Sequence, residues 1–278
     1  MNILVFTLLL WLVSALTGFL GALTGLGGGV LLVPVLTLVF GVDLHYAIGA
    51  TVVSVIATSS GAAAAYVKEG FTNIRIGMFL EIATTLGAVL GAFLLARVST
   101  EVVGIVFGLM LLFSAYHSWQ SEPNVAPLAK PDKFSALLKL NGSYPTPQGE
   151  RTYQVYRVPA GFGLMAVAGA LSGLLGIGSG AMKVLALDQA MRIPFKVSTT
   201  TSNFMIGVTA AATAGIYFKR GYIDPGLAMP VMLGVLLGST LGAKALIKMN
   251  TKILRLVFSV VIAIMAIEMI VNALTGRI

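Results

Sequence analysis

Cysteine is absent from this 278-residue chain, and charge is scarce, with Asp, Glu, Lys and Arg making up 10% of the residues. The first absence excludes disulfides, thiolate metal sites and thiol nucleophiles, and carries no information on compartment. The second excludes an ordinary soluble domain, which devotes about 25% of its residues to charge and needs them to cover a water-facing surface. Histidine is limited to His45 and His117, both at the ends of apolar segments, where an interfacial position is expected. No HExxH, GxSxG or Walker motif occurs, and the glycine clusters are not followed by Lys-Ser or Lys-Thr as a phosphate loop would be. The sequence therefore reads as no enzyme, with no cofactor and no metal site.

What the chain has is hydrophobicity, at 57% of residues and a mean hydropathy of +0.95. Runs such as residues 3–23 and 253–274 are continuously apolar and reach the ~20 residues a spanning helix requires. A membrane β-barrel would instead show alternating segments of roughly 10 residues. The expected class is an all-α, multi-pass protein of the cell (inner or cytoplasmic) membrane, with the lipid bilayer as its main partner. The first run lacks a basic leader and exceeds the roughly 7–15 apolar residues of a signal peptide, so it is read as a retained segment. The net charge of +8 reflects basic residues in loops and helix ends. They form no stripe with interleaved aromatics, so nucleic acid is not an expected partner.

A stretch of the chain occurs twice. Residues 18–97 align with residues 169–248 without a gap, at a constant offset of 151. Gly25-Leu26-Gly27-Gly28-Gly29 falls on Gly176-Ile177-Gly178-Ser179-Gly180. Tyr66, Lys68 and Gly70 fall on Tyr217, Lys219 and Gly221, and Gly87 and Gly91 on Gly238 and Gly242. Each copy reads as a first apolar segment, a glycine-rich break, a half-length segment (30–40 and 181–191), and three longer ones. The expected organisation is a first transmembrane repeat over 1–119, a polar linker over 120–157 and a second repeat over 158–278. The linker holds Pro123, Pro127, Pro131, Pro145 and Pro147 and predicts a small β-hairpin around Asn141-Gly142 or Gln148-Gly149.

Basic residues discriminate between two topologies, because they collect in cytoplasmic loops. If each first segment crosses once, the halves are parallel and the 18 Lys and Arg residues split 10 to 8. If each folds back as a hairpin broken at the glycines, the halves are inverted and the split is 14 to 4, or 12 to 4 without Lys183 and Lys244. Inversion is the expectation, with the linker in the cytoplasm and both termini outside.

Paired glycine-broken segments in corresponding positions of two halves point to a transporter's binding site. A break frees backbone groups that lipid cannot satisfy, and the helix that resumes begins with unpaired N–H groups and a partial positive charge. A small anion is the expected substrate. The candidate contacts are Gly25, Gly27, Gly28, Gly29 and Thr51 from the first half. From the second come Gly176, Gly178, Ser179, Gly180, Lys183, Ser202 and Asn203. The same glycines could instead only permit close helix packing, as Gly87, Gly91, Gly238 and Gly242 are read to do. Lys183 could instead snorkel to the interface, and the hydroxyls could bond their own helix backbone. That backbone-bonding, packing role is the one expected of Thr58 and Thr209. Glu81, and secondarily Glu268, are carboxylates inside apolar spans and so candidates for carrying a coupled proton.

At these residues the chain resembles the sulfite exporter TauE/SafE family of membrane proteins. The resemblance rests on the two glycine motifs, on Ile193-Pro194-Phe195-Lys196 leading into Thr200-Thr201-Ser202-Asn203-Phe204-Met205-Ile206-Gly207-Val208, and on linker elements Leu140–Tyr144 and Gln154–Arg157. It covers nearly the whole chain and implies transport of sulfite or of organic sulfur anions such as sulfonates. Two positions depart from the family pattern: Ser179 stands where glycine is commoner, and Ala50-Thr51-Val52 where Thr-Ser is usual. A carrier working by alternating access is the leading expectation, with a passive anion channel or a carrier of another small organic anion as the alternatives.

Overall fold

The computed structural model describes residues 3–24, 27–95, 97–119, 132–146, 149–176, 178–246 and 251–276. Among the described residues the regular structure is helical apart from one short hairpin. Helix α1 (Ile3–Thr24) precedes the first break; α2 (Gly29–Pro34) resumes after it and continues as a π-helical turn, Val35–Val39. Then come α3 (Leu44–Lys68), α4 (Ile74–Leu95) and α5 (Thr100–Trp119). The linker contributes α6 (Lys133–Leu137), β1 (Gly142–Thr146) and β2 (Gly149–Tyr153). The second half runs α7 (Val158–Leu175), α8 (Gly180–Leu185) with its π-helical turn Ala186–Ala190, α9 (Phe195–Lys219), α10 (Pro225–Leu246) and α11 (Thr251–Leu274). From α2 to α4, every helix and π-helical turn has a counterpart with both bounds shifted by 151, as Leu44–Lys68 against Phe195–Lys219 shows.

Five of the described helices are long and apolar enough to cross a membrane: Leu4–Leu23, Leu44–Lys68, Ile74–Leu95, Val158–Leu175 and Pro225–Ala245. Their outer faces carry leucine-rich stripes four residues apart, such as Leu8, Leu12 and Leu16, or Ile82, Leu86 and Leu90, all more than half exposed. In water such patches would drive association; against lipid tails they are at home. The polar residues point inward. Helix α9 buries Ser198 through Asn203 in an unbroken run, which makes it an interior helix packed on α3 and α4.

Close helix contacts are made through glycine. A Cβ at Gly87 or Gly91 of α4 would strike the carbonyls of Ala166 and Ala170 on α7, and one at Gly238 or Gly242 of α10 would strike Ala15 and Phe19 on α1. These are the packing roles read from the sequence. The contact order shows that α4 and α7 run parallel, as do α1 and α10. Helix α4 also runs parallel to α9, with Gly77 against Phe204 and Met205 and Glu81 against Thr209. Helices α3 and α9 run antiparallel: Phe71, beyond the end of α3, accepts from Thr200 near the start of α9, while Gly49 near the start of α3 abuts Tyr222 beyond the end of α9.

The linker hairpin is antiparallel, with Gly142 opposite Tyr153 and Thr146 opposite Gly149. Its connection therefore falls at residues 147–148, the second of the two expected positions; those two residues lie outside the described ones. Asn73, in the turn between α3 and α4, donates through Nδ2 to the Tyr153 hydroxyl at 2.7 Å and to the Leu140 carbonyl at 3.1 Å. Burial raises the Tyr153 phenol above its usual range, opposed by the Asn73 hydrogen bond. The backbone N–H of Asn73 donates to Thr201 Oγ1 at 3.0 Å, so the linker is tied through one asparagine to the polar run of α9.

Candidate functional site

A helix that ends inside the protein leaves its last carbonyls without intrahelical partners. In both halves a buried tyrosine supplies one. Tyr66 donates to the Ala22 carbonyl at 2.8 Å and Tyr217 to that of Gly173, the equivalent residue of α7. The repeated tyrosine was visible in the sequence, but its task was not.

The two breaks lie at one level of the fold. Asn203 Nδ2 joins Tyr66 at the Ala22 carbonyl, 3.3 Å away, and the neighbouring Ser202 donates to the Gly180 carbonyl, also at 3.3 Å. Adjacent side chains of α9 thus reach the end of the helix before the first break and the start of the helix after the second. A Cβ at Gly178 would press on Ile206 of α9 and on Val55 of α3, and one at Gly28 would meet Thr58 of α3. Ile206 and Thr58 stand near the middle of their 25-residue helices. At ~1.5 Å per residue, eleven residues from Phe195 to Ile206 is about half of a ~30 Å hydrocarbon core.

Sequence spacing places further side chains on the same surfaces, since residues three and four apart share a helix face. Gly176 sits against Ile48 and Gly178 against Val55, so Thr51, between those two on α3, faces the second break. Thr199, Ser202, Asn203 and Ile206 likewise share a face of α9. The oxygens of Thr51, Ser179 and Thr199 and Oδ1 of Asn203 are buried and make no hydrogen bond among the described residues. Buried polar atoms are nearly always satisfied, and three of these four belong to the residues proposed from the sequence. Ser179 is held at a second cost, a left-handed backbone with φ 47° that side-chain-bearing residues seldom adopt. Its counterpart Gly28 has φ −57°, so the two breaks differ in backbone at the position where the sequence departs from glycine. Gly27 and Gly178 do match, with φ 75° and 71°, a conformation glycine adopts without a Cβ penalty. Gly29 and Gly180 open the resumed helices. Gly25 lies outside the described residues.

Lys183 does not snorkel. It is fully buried on α8, and with Glu81 of α4 it forms the only buried pair of opposite charges among the described residues. Its Nζ lies 3.6 Å from Glu81 Oε2. Thr209 of α9 bridges the two, accepting from Lys183 Nζ and donating to Glu81 Oε1. Thr84 and Thr85 add hydrogen bonds to Glu81 at 3.1 and 3.2 Å. The packing role expected of Thr209 is therefore incomplete, and only Thr58 keeps to it, bonding the Ser54 carbonyl at 2.9 Å. Glu268 is exposed on α11 and joins none of these groups. With Lys183 removed from the loop charges, the inverted arrangement splits the basic residues 13 to 4.

Comparison with known proteins finds relatives of the chain over nearly its whole length. The profile of the family described as sulfite exporter TauE/SafE matches residues 10–269. The chain belongs to that family. Among its relatives is the "Probable membrane transporter protein YunE" of Bacillus subtilis (strain 168), 25% identical over 94% of this chain and 96% of that protein. A "Probable membrane transporter protein" of Xylella fastidiosa (strain 9a5c) is 28% identical over 92% of each. A third, MJ0441 of Methanocaldococcus jannaschii, is 24% identical over 94% of each. No solved structure matches the chain significantly. The TauE/SafE assignment makes this an integral membrane protein of a transporter family, and the family and relatives' names speak for transport rather than catalysis.

Proposed function

We propose that this protein is a secondary transporter that exports a small sulfur-containing anion, sulfite or an organosulfonate, across the cytoplasmic membrane by alternating access. The anion binds between the two glycine breaks. The observation that carries this reading is the pair Ser202 and Asn203, whose adjacent side chains reach the two breaks at mid-membrane depth. Around them Thr51, Ser179 and Thr199 offer hydroxyls with no other partner among the described residues. Backbone N–H groups at Gly27–Gly29 and Gly178–Gly180 add donors without a full charge.

The helix directions support an inverted pair of repeats. Corresponding helices α3 and α9 run in opposite senses, as inversion about an axis in the membrane plane requires. Because α4 is parallel to both α7 and α9, α7 and α9 share a direction, and the segment between them has to bring the chain back as a re-entrant hairpin. Such paired units rock or gate about a central site in carriers. Counterflow of labelled sulfite in proteoliposomes, competed by sulfate, thiosulfate and sulfoacetate, tests the function. Saturable exchange supports a carrier, whereas resolvable single-channel currents would make the protein a pore.

A further inference from the structure

We propose that Lys183, Thr209 and Glu81 couple each anion to one proton: the anion displaces the Glu81 carboxylate from Lys183, and the displaced carboxylate takes up a proton. This rests on the glycine breaks being the anion site.

Position is the first argument. Lys183 is one helical turn beyond Ser179, and side chains of a helix lean toward its N-terminus, here toward the second break. Thr209 is one turn beyond Ile206, the residue against which Gly178 packs. The trio therefore borders the breaks at a distance of about one turn, ~5.4 Å, within the swing of a lysine side chain.

Charge is the second. Lys183 and Glu81 are the only charged side chains buried among the described residues. The elements packed around them carry Arg75 on α4, Lys196 and Lys219 on α9, Glu101 on α5 and Asp188 in the turn after α8, all partly or fully exposed; α7 carries none. The empty site is neutral as a pair. An anion alone would leave it with a net negative charge at membrane depth, which is strongly disfavoured. With a proton on Glu81 a monovalent anion leaves the site neutral again, and a divalent one leaves it with one negative charge instead of two.

Hydrogen bonding is the third. The Thr209 hydroxyl lies 3.1 Å from the Met205 carbonyl and the Thr84 hydroxyl 2.9 Å from that of Leu80. Both hydroxyls can turn from Glu81 to their own helix when the carboxylate is neutralised, so no buried donor is stranded. The cycle balances. The proton enters from the aqueous face then open to the site, the anion takes the place of Glu81 on the ammonium, and both leave together as the ion pair re-forms.

Proteoliposomes loaded with a pH-sensitive dye and given radiolabelled thiosulfate or sulfoacetate test this, since both remain fully ionised at neutral pH and carry no proton themselves. One proton should accompany each labelled anion in the same direction. In Glu81→Gln, the protons carried per labelled anion should fall to the leak of empty vesicles; where that variant carries no anion, the wild-type measurement in detergent decides instead. Anion flux without protons in the wild type, or an unchanged proton-to-anion ratio in Glu81→Gln, overturns the coupling. Failure of both labels and of labelled sulfite to enter wild-type vesicles would instead refute the transport reading on which the coupling rests. Should Glu81→Gln not fold, wild-type protein in weakly buffered detergent solution decides: adding thiosulfate or sulfoacetate should draw protons out of solution, and constant pH overturns the proposal.

Discussion

Tyr66 and Tyr217, 151 residues apart, each donate to a backbone carbonyl near the end of the first helix of their own half. The relationship is symmetric in geometry and unequal in reinforcement. Asn203 shares the Ala22 carbonyl with Tyr66, whereas its repeat counterpart is Val52, so Tyr217 is the one side-chain donor to Gly173 among the described residues. Tyr217→Phe should cost about 1–3 kcal/mol, the penalty of a buried unpaired carbonyl, and Tyr66→Phe clearly less. Thermal unfolding midpoints in detergent test the ordering, and equal shifts or the reverse order would remove the argument.

The second prediction concerns Gly178. Its φ of 71° excludes most side chains, and a Cβ there would sit 3.0 Å from Val55 Cγ1 while pressing on Ile206. Gly178→Leu should abolish sulfite counterflow while the protein still inserts and elutes as a single species, because the change is confined to the break. Counterflow near the wild-type rate would reduce the glycine to a packing element. Gly27→Leu, at the equivalent φ of 75°, should behave in the same way.

Topology can be tested with the residues that revealed the repeat. Lys68 and Lys219 are exposed counterparts at the ends of α3 and α9, and the chain holds no native cysteine to confuse a label. In an inverted arrangement Lys68→Cys should react only with a membrane-permeant maleimide in intact cells, and Lys219→Cys with an impermeant one. Labelling of both from the same face would require parallel halves.

Much of the fold was legible because lipid imposes simple rules. Apolar runs set helices such as α1 and α11 nearly to the residue, and the repeated Gly70 and Gly221, both at positive φ, stand where the chain turns. Much of the candidate site was legible through the duplication, and Lys183 and Glu81 as charges inside apolar spans. Gly27, Gly178, Thr51 and Ser202 stood out because each had a counterpart. Lys183 and Glu81 have the counterparts Leu32 and Met232, so symmetry gave no hint that they meet. Their pairing depends on α4 and α8 both packing on α9, a tertiary fact. Thr209 was read, with its counterpart Thr58, as a packing residue bonded to its own helix, yet only on α9 is there an ammonium for that hydroxyl to accept from and a carboxylate for it to donate to.

That asymmetry yields the last prediction, on stability. Removing one member of a buried ion pair strands the other, which typically costs about 3–5 kcal/mol, whereas replacing both is often nearly neutral. Lys183→Met leaves Glu81 with three hydroxyls and no cation, and Glu81→Gln leaves the Lys183 ammonium with Thr209 and the amide oxygen. Both single changes should therefore lower the unfolding midpoint, Lys183→Met the less at low pH, where the stranded Glu81 carboxylate takes up a proton. Lys183→Met/Glu81→Gln should recover most of that loss while binding anion more weakly than wild type. The loss of affinity should be roughly ten- to a hundredfold if the ammonium contributes about 1.5–3 kcal/mol to holding the anion. Midpoints and sulfite titrations on the two single variants and the double variant form a thermodynamic cycle. Additive stability losses would show that Lys183 and Glu81 do not act as a pair. An unchanged affinity in the double variant would leave the breaks and the hydroxyls of α3 and α9 to hold the anion without a formal charge.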